Sequence, residues 1–149
     1  MARRLLASSV LAAVCIASAH AQTAIDGDTI KLSGQSIRLF GIDPPERRQT
    51  CDDGSWSPGP LATEALRRFM AGRRIECHRV TGDRYGRAVS LCYADGEDLQ
   101  ALMVGAGWAW AFHEYSGQYA DAERRAVARG VGVHSHRCQR PGVWRAQQR

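Results

Sequence analysis

An α+β fold is predicted by two features of the 149-residue chain: strand-like segments bounded by turn residues, and separate segments whose apolar residues recur at helical spacing. Five strands and three helices result. Ile30 and Leu32 alternate with Thr29 and Lys31, Ser33-Gly34-Gln35 makes a turn, and residues 37–42 return, so the chain opens as a β-meander. Residues 49–60 are polar and rich in Gly, Pro and Ser, which predicts an exposed loop carrying Trp56. Leu61, Ala62, Ala65, Leu66 and Phe69 then share one helical face, and Gly72 is placed to end that helix. Residues 74–80 and 87–93 form a second strand pair. Asp95-Gly96 turns into a short helix bearing Leu99, Leu102, Met103 and Ala106, with Gly107 as its stop, and residues 108–112 read as one more short strand. Ser116 can cap a third helix whose buried side is Tyr119, Ala122 and Ala126 and whose end is Gly130; the tail beyond reads as irregular.

The first 21 residues read as a cleaved signal peptide. Arg3 and Arg4 precede an apolar run from Leu5 to Ala17, and Ala19-His20-Ala21 is an A-x-A cleavage site. The run is too short for a membrane span, and no later run is long enough either. The expected product is exported, either secreted or periplasmic, with residues 22–149 as a single domain free of the membrane after cleavage. Val14 is bulky where a lipid anchor at Cys15 would need a small residue. Without the leader, 18 basic residues face 15 acidic ones, and Lys31 is the sole lysine. Arginine suits bidentate phosphate contacts, although a GC-rich genome produces the same bias.

Beyond the leader the chain keeps Cys51, Cys77, Cys92 and Cys138, an even number in an oxidising compartment, which predicts two disulfides. Four cysteines allow three pairings. Cys77 and Cys92 flank the turn-like segment 82–86 at similar distances, and Cys51 and Cys138 both lie in loop-like sequence, so Cys77–Cys92 with Cys51–Cys138 is favoured. No C-x-x-C spacing supports a zinc site.

Three stretches carry candidate chemistry: Ile25-Asp-Gly-Asp-Thr-Ile-Lys-Leu32, Ile37-Arg-Leu-Phe-Gly-Ile-Asp-Pro-Pro-Glu46 and Asp83-Arg-Tyr-Gly-Arg87. Taken singly, Asp26-Gly27-Asp28 reads as a bend, Asp43-Pro44-Pro45-Glu46 as a rigid acidic turn, and the third as a hairpin loop. Together they hold the kit for cutting a phosphodiester. A hard cation needs carboxylate and carbonyl oxygens, an attacking water needs a nearby carboxylate, and a phosphorane-like transition state needs fixed positive charge. The prolines remove two amide donors and leave the Pro44 carbonyl free to face a cation. Arg38 and Asp43, five apart, fall on opposite faces of an unbroken strand, so shared duty requires a break or bulge near Gly41.

From Ile25 to about Gly130 these segments resemble the staphylococcal nuclease family, with three motifs in order and at compatible spacing. The resemblance implies a five-stranded OB-fold β-barrel with three α-helices. It implies a calcium-dependent endonuclease that hydrolyses DNA and RNA with little sequence specificity and leaves 3′-phosphate ends. Asp28 and Asp43 match the calcium carboxylates, Pro44 the backbone carbonyl that completes the metal shell, and Asp26 an acid supporting the metal waters. Arg38 and Arg87 match the phosphate-binding arginines, and Glu46 the glutamate assigned as general base. Arg84, Tyr85 and Tyr115 correspond to contacts with the terminal phosphate. The substrate is expected to be single-stranded or unpaired nucleic acid, taken by a monomer with no stable protein partner. Two departures stand out: only Gln22 to Ala24 precede Ile25 after cleavage, and Gly130-Val-Gly-Val-His134 replaces a Gly-Leu-Trp segment. The alternative is an OB-type module that binds nucleic acid without cutting it.

Overall fold

The computed structural model describes residues 22–114 and 117–148, so the expected leader and the Ser116 cap lie outside the described residues. β1 (Gln22–Ala24), β2 (Thr29–Leu32) and β3 (Gln35–Leu39) pair antiparallel, with Thr29 opposite Arg38 and Leu32 opposite Gln35 across the Ser33-Gly34 turn. Side chains alternate between faces along a strand, which sends Ile30, Ile37 and Leu39 into the core. β3 stops at Leu39. The chain turns at Phe40 and Gly41 and resumes as β4 (Ile42–Asp43), part of a separate ribbon in which Asp43 faces Trp110 of a later strand. The strand expected over 37–42 is therefore two pieces in two sheets.

β5 (Ile75–Gly82) and β6 (Ala88–Ala94) form the long hairpin, and β6 also runs parallel to β3. The main sheet is ordered β1-β2-β3-β6-β5 and curls into a half-barrel, with the two-residue β7 (Glu97–Asp98) added to β6. The short β8 (Trp110–Ala111) is the partner of β4. The architecture is α+β on an OB-type sheet; four of the five expected strands lie on its path, whereas the one expected over 108–112 is β8, in the separate ribbon with β4.

α1 (Pro58–Met70) begins three residues before Leu61. Pro58 and Pro60 sit in its first turn, where amide hydrogens have no partner within the helix, so the loop expected over 49–60 is correspondingly shorter. α2 (Leu99–Gly105) is capped by Asp98, whose carboxylate accepts from Ala101 N at 2.9 Å. Leu66 of α1 and Leu99 and Met103 of α2 pack with Ile30 and Leu39 of the sheet, all fully buried. Each contributes about 1.5–3 kcal/mol of burial. α3 (Ala120–Arg129) ends at Gly130 in the left-handed conformation.

The tail corrects the three-helix expectation. A 3₁₀ turn at Gly132–Ser135 and a fourth helix, α4 (Pro141–Gln147), follow α3. This segment is ordered by ties to the loop before α1. Cys138 is disulfide-bonded to Cys51, Gln49 Nε2 donates to Gln139 O at 2.7 Å, and Arg137 N donates to Asp52 Oδ1 at 2.8 Å. His136 stacks on Trp56 with ring centroids 3.6 Å apart. The second disulfide joins Cys77 to Cys92, which face each other in the β5–β6 register.

Candidate active site

The turn before β2 builds the first wall. Asp26 Oδ1 accepts from Asp28 N at 3.1 Å and Ile25 N donates to Thr29 O at 2.8 Å, which turns the Asp28 side chain inward. Asp28 is buried, with Oδ1 taking the Thr29 hydroxyl at 2.9 Å and Oδ2 standing 2.6 Å from Arg38 Nη2. Burial pushes its carboxyl up to about 7 against the pull of the Arg38 charge, and neighbouring Asp26 adds to the rise. The second wall is the segment after β4. A Cβ on Gly27 would lie 2.6 Å from Pro44 Cβ, so the Asp26–Asp28 turn is pressed directly against Pro44. A Cβ on Gly59 would lie 2.3 Å from the Glu46 carbonyl oxygen, so the first turn of α1 underlies Glu46 in the same way. Asp26, Asp28, Asp43, Pro44 and Glu46 thus line one cleft of about 340 Å³, although they come from two separate stretches of sequence.

A second cleft of about 480 Å³ is formed by the β5–β6 hairpin and the end of β3, and is lined by Arg38, Arg84, Tyr85 and Arg87. Asp83 organises it, a role the sequence reading did not assign. Its Oδ1 accepts from Tyr85 N at 2.9 Å and Arg87 N at 3.0 Å, and its Oδ2 from Arg87 Nε at 2.6 Å. Partial burial would raise the Asp83 carboxyl, but the hydrogen bonds from Arg87 and Tyr85 outweigh it and hold the group below the usual carboxylate range. Arg87 Nη1 reaches to 3.5 Å from Thr29 Oγ1, which ties the hairpin to the acid cleft. Arg84 lies 4.8 Å over the exposed Tyr85 ring and its Nη2 is 2.7 Å from the Tyr85 hydroxyl.

Arg38, Tyr85 and Arg145 line both clefts, so acid and base meet along a shared boundary. The turn at Phe40 and Gly41 supplies the break that joint use of Arg38 and Asp43 requires. Tyr115 lies outside the described residues. Arg145 was not foreseen. From α4 it donates through Nη1 to Asp43 Oδ1 at 3.0 Å and Glu46 Oε1 at 2.7 Å, and through Nη2 to Asp43 Oδ2 at 3.2 Å. These bonds, the Asp43 pair foremost, outweigh burial and raise its own pKa. The one signal available for α4 was Pro141, a residue favoured in the first helical turn.

The candidate donors of the acid cleft are all oxygens: the buried carboxylates of Asp28 and Asp43, each also paired with an arginine, and the carbonyl of the lining residue Pro44, which is followed by a proline without an amide hydrogen. That set suits a hard divalent cation and no soft metal. The raised Asp28 carboxyl marks a cost of burying charge that Arg38 does not fully offset, and a bound cation would relieve it. Among the described residues no group of three or more His, Cys, Asp or Glu side chains is gathered to hold a metal, so a cation here would depend on backbone oxygens and water as well.

The family described as Staphylococcal nuclease homologue matches residues 36–136. A Rhizobium meliloti (strain 1021) protein named Succinoglycan biosynthesis protein ExoI is 35% identical over 129 residues, which cover 83% of this chain and 62% of the relative. An Escherichia coli O157:H7 protein named Uncharacterized endonuclease is 37% identical over 97 residues, 62% of this chain and 59% of the relative. A rice protein (Oryza sativa subsp. japonica) named Probable staphylococcal-like nuclease CAN1 is 32% identical over 126 residues, covering 83% of this chain and 36% of its own. The chain spans about three-fifths of the length of the first two of these relatives.

Proposed function

Because this chain belongs to the staphylococcal nuclease family, we propose that it is an exported, calcium-dependent endonuclease that hydrolyses DNA and RNA with little sequence preference and leaves 3′-phosphate ends. The observation that carries the reading is the meeting of a carboxylate cleft and an arginine cleft along Arg38. Phosphodiester hydrolysis needs both sides at once.

Asp28, Asp43 and the Pro44 carbonyl are the residues that would hold calcium, with Asp26 hydrogen-bonding its waters. When bound, the ion supplies a Lewis acid that polarises the phosphate and acidifies water. Glu46 takes the proton of the attacking water as its oxygen bonds to phosphorus, and the bond to the 5′-oxygen breaks, leaving phosphate on the 3′ side. The 5′-oxygen leaves as a hydroxyl with a proton from solvent. Arg38 and Arg87 donate to the phosphate oxygens, and these bonds strengthen as negative charge builds there. The Arg84-Tyr85 pair offers an exposed ring and a cation to an unpaired nucleotide, which favours single-stranded substrate. Export is supported by the leader-like residues 1–21 and by two disulfides.

The test is hydrolysis of single-stranded DNA by the oxidised protein lacking residues 1–21, in calcium and in chelator, with the product ends identified. Calcium-dependent fragments ending in 3′-phosphate are expected. Intact DNA that still binds the protein would instead identify a non-catalytic binding module.

A further inference from the structure

We propose that Arg145 is a positioning residue for this reaction, a clamp from the C-terminal helix that fixes the Glu46 carboxylate against Asp43. The inference rests on the nuclease reading of the same site and adds to it a residue from outside the three motifs. Glu46 follows two prolines that stiffen its backbone path but do nothing to hold its side chain, which is about one-third exposed. Among the described residues, its carboxylate has one charged partner, Arg145, at 2.7 Å. The same guanidinium nitrogen reaches Asp43 Oδ1 at 3.0 Å while the other prong takes Oδ2 at 3.2 Å. A planar fork bonded to both oxygens of a buried carboxylate has a fixed orientation, so its remaining bond fixes Glu46 in turn.

The C-terminal strap holds Glu46 at a second point. Glu46 N donates to Gln49 Oε1 at 3.1 Å, and Gln49, itself fully buried, donates to Gln139 O at 2.7 Å. Cys138 beside it is bonded to Cys51. Arg140, at the start of α4, is pinned by Glu123 at 2.6 Å. Backbone and carboxylate of Glu46 are therefore both referred to one strap, which closes a ring through Gln49, Gln139 and Arg145. A purely electrostatic neighbour of the acids would need none of this anchoring.

The experiment compares the oxidised wild type with Arg145→Ala and Arg145→Lys, measuring kcat and KM on single-stranded DNA and, separately, binding of calcium alone by calorimetry. Misplacement of Glu46 is expected to lower kcat of the alanine variant about tenfold to a hundredfold, with little change in KM. Lysine, which keeps the charge without the fork, should recover part of the loss. Calcium binding should persist and tighten once a positive neighbour of Asp43 is gone. An alanine variant with wild-type kcat, or a loss carried by KM, overturns the clamp while the nuclease reading stands. Weakened calcium binding also overturns it, because Arg145 would then be building the acid cleft and not aiming Glu46. A wild type that leaves DNA intact overturns both.

Discussion

Arg38 Nη2 stands 2.6 Å from Asp28 Oδ2, so a residue matching the phosphate arginines and one matching the calcium carboxylates neutralise each other across the β2–β3 pair. The pairing is incomplete compensation. Asp28 is buried deeply enough that its carboxyl still rises from 3.8 to about 7.

That rise has a definite sign for stability. Through the window from 3.8 to about 7, the folded chain keeps a proton at Asp28 that the unfolded chain has lost, so stability in chelator falls as pH increases. The penalty is on the order of a few kcal/mol by the top of the window. Denaturant midpoints measured across this range should decline for the wild type and much less for Asp28→Asn, and added calcium should stabilise most at the upper end. An Asp28→Asn variant that declines as steeply as the wild type would place the penalty elsewhere.

Glu46→Gln keeps an acceptor for Arg145 but removes the proposed base, so it should lower turnover by about 10²–10⁴-fold with little change in melting temperature. Arg87→Ala should cost about 10²–10³-fold. Steady-state rates on single-stranded DNA test both, and a near wild-type rate in either variant would remove that residue from its role.

Gly59→Ala forces a methyl to within 2.3 Å of the Glu46 carbonyl oxygen, a backbone atom that cannot rotate away. Overpacking of this kind costs about 1–3 kcal/mol. Because the displaced atom belongs to Glu46, turnover should fall along with the melting temperature. A loss of stability with full activity would show that α1 yields and the Glu46 loop does not.

The two disulfides should separate in their effects. Replacing Cys77 and Cys92 by serine opens a link across 15 positions in the β5–β6 hairpin, five or more residues from its Asp83–Arg87 turn, and should cost about 3 kcal/mol while sparing turnover. Replacing Cys51 and Cys138 opens a link across 87 positions, should cost about 4–5 kcal/mol, and releases the strap that carries Arg145. Rates measured well below each variant's melting temperature distinguish the two. Equal retention of turnover would mean that the strap stays docked without its covalent tie.

The sequence by itself determined what local chemistry controls. Alternation at Thr29–Leu32 specified β2, the helical spacing from Leu61 to Phe69 specified the buried face of α1, and three motifs carried the acids and arginines of the site. Even the break before Asp43 was legible as a requirement, since residues five apart on one strand cannot share a face. What the tertiary structure decided were relations over long separations. α4 is only seven residues long and has little apolar periodicity to announce it. Arg145 meets Glu46 across 99 positions and Asp43 across 102. Such a contact leaves no local pattern, because it exists only where the tail folds back over the acid cleft, along a path tied by the Cys51–Cys138 bond and the Gln49–Gln139 hydrogen bond.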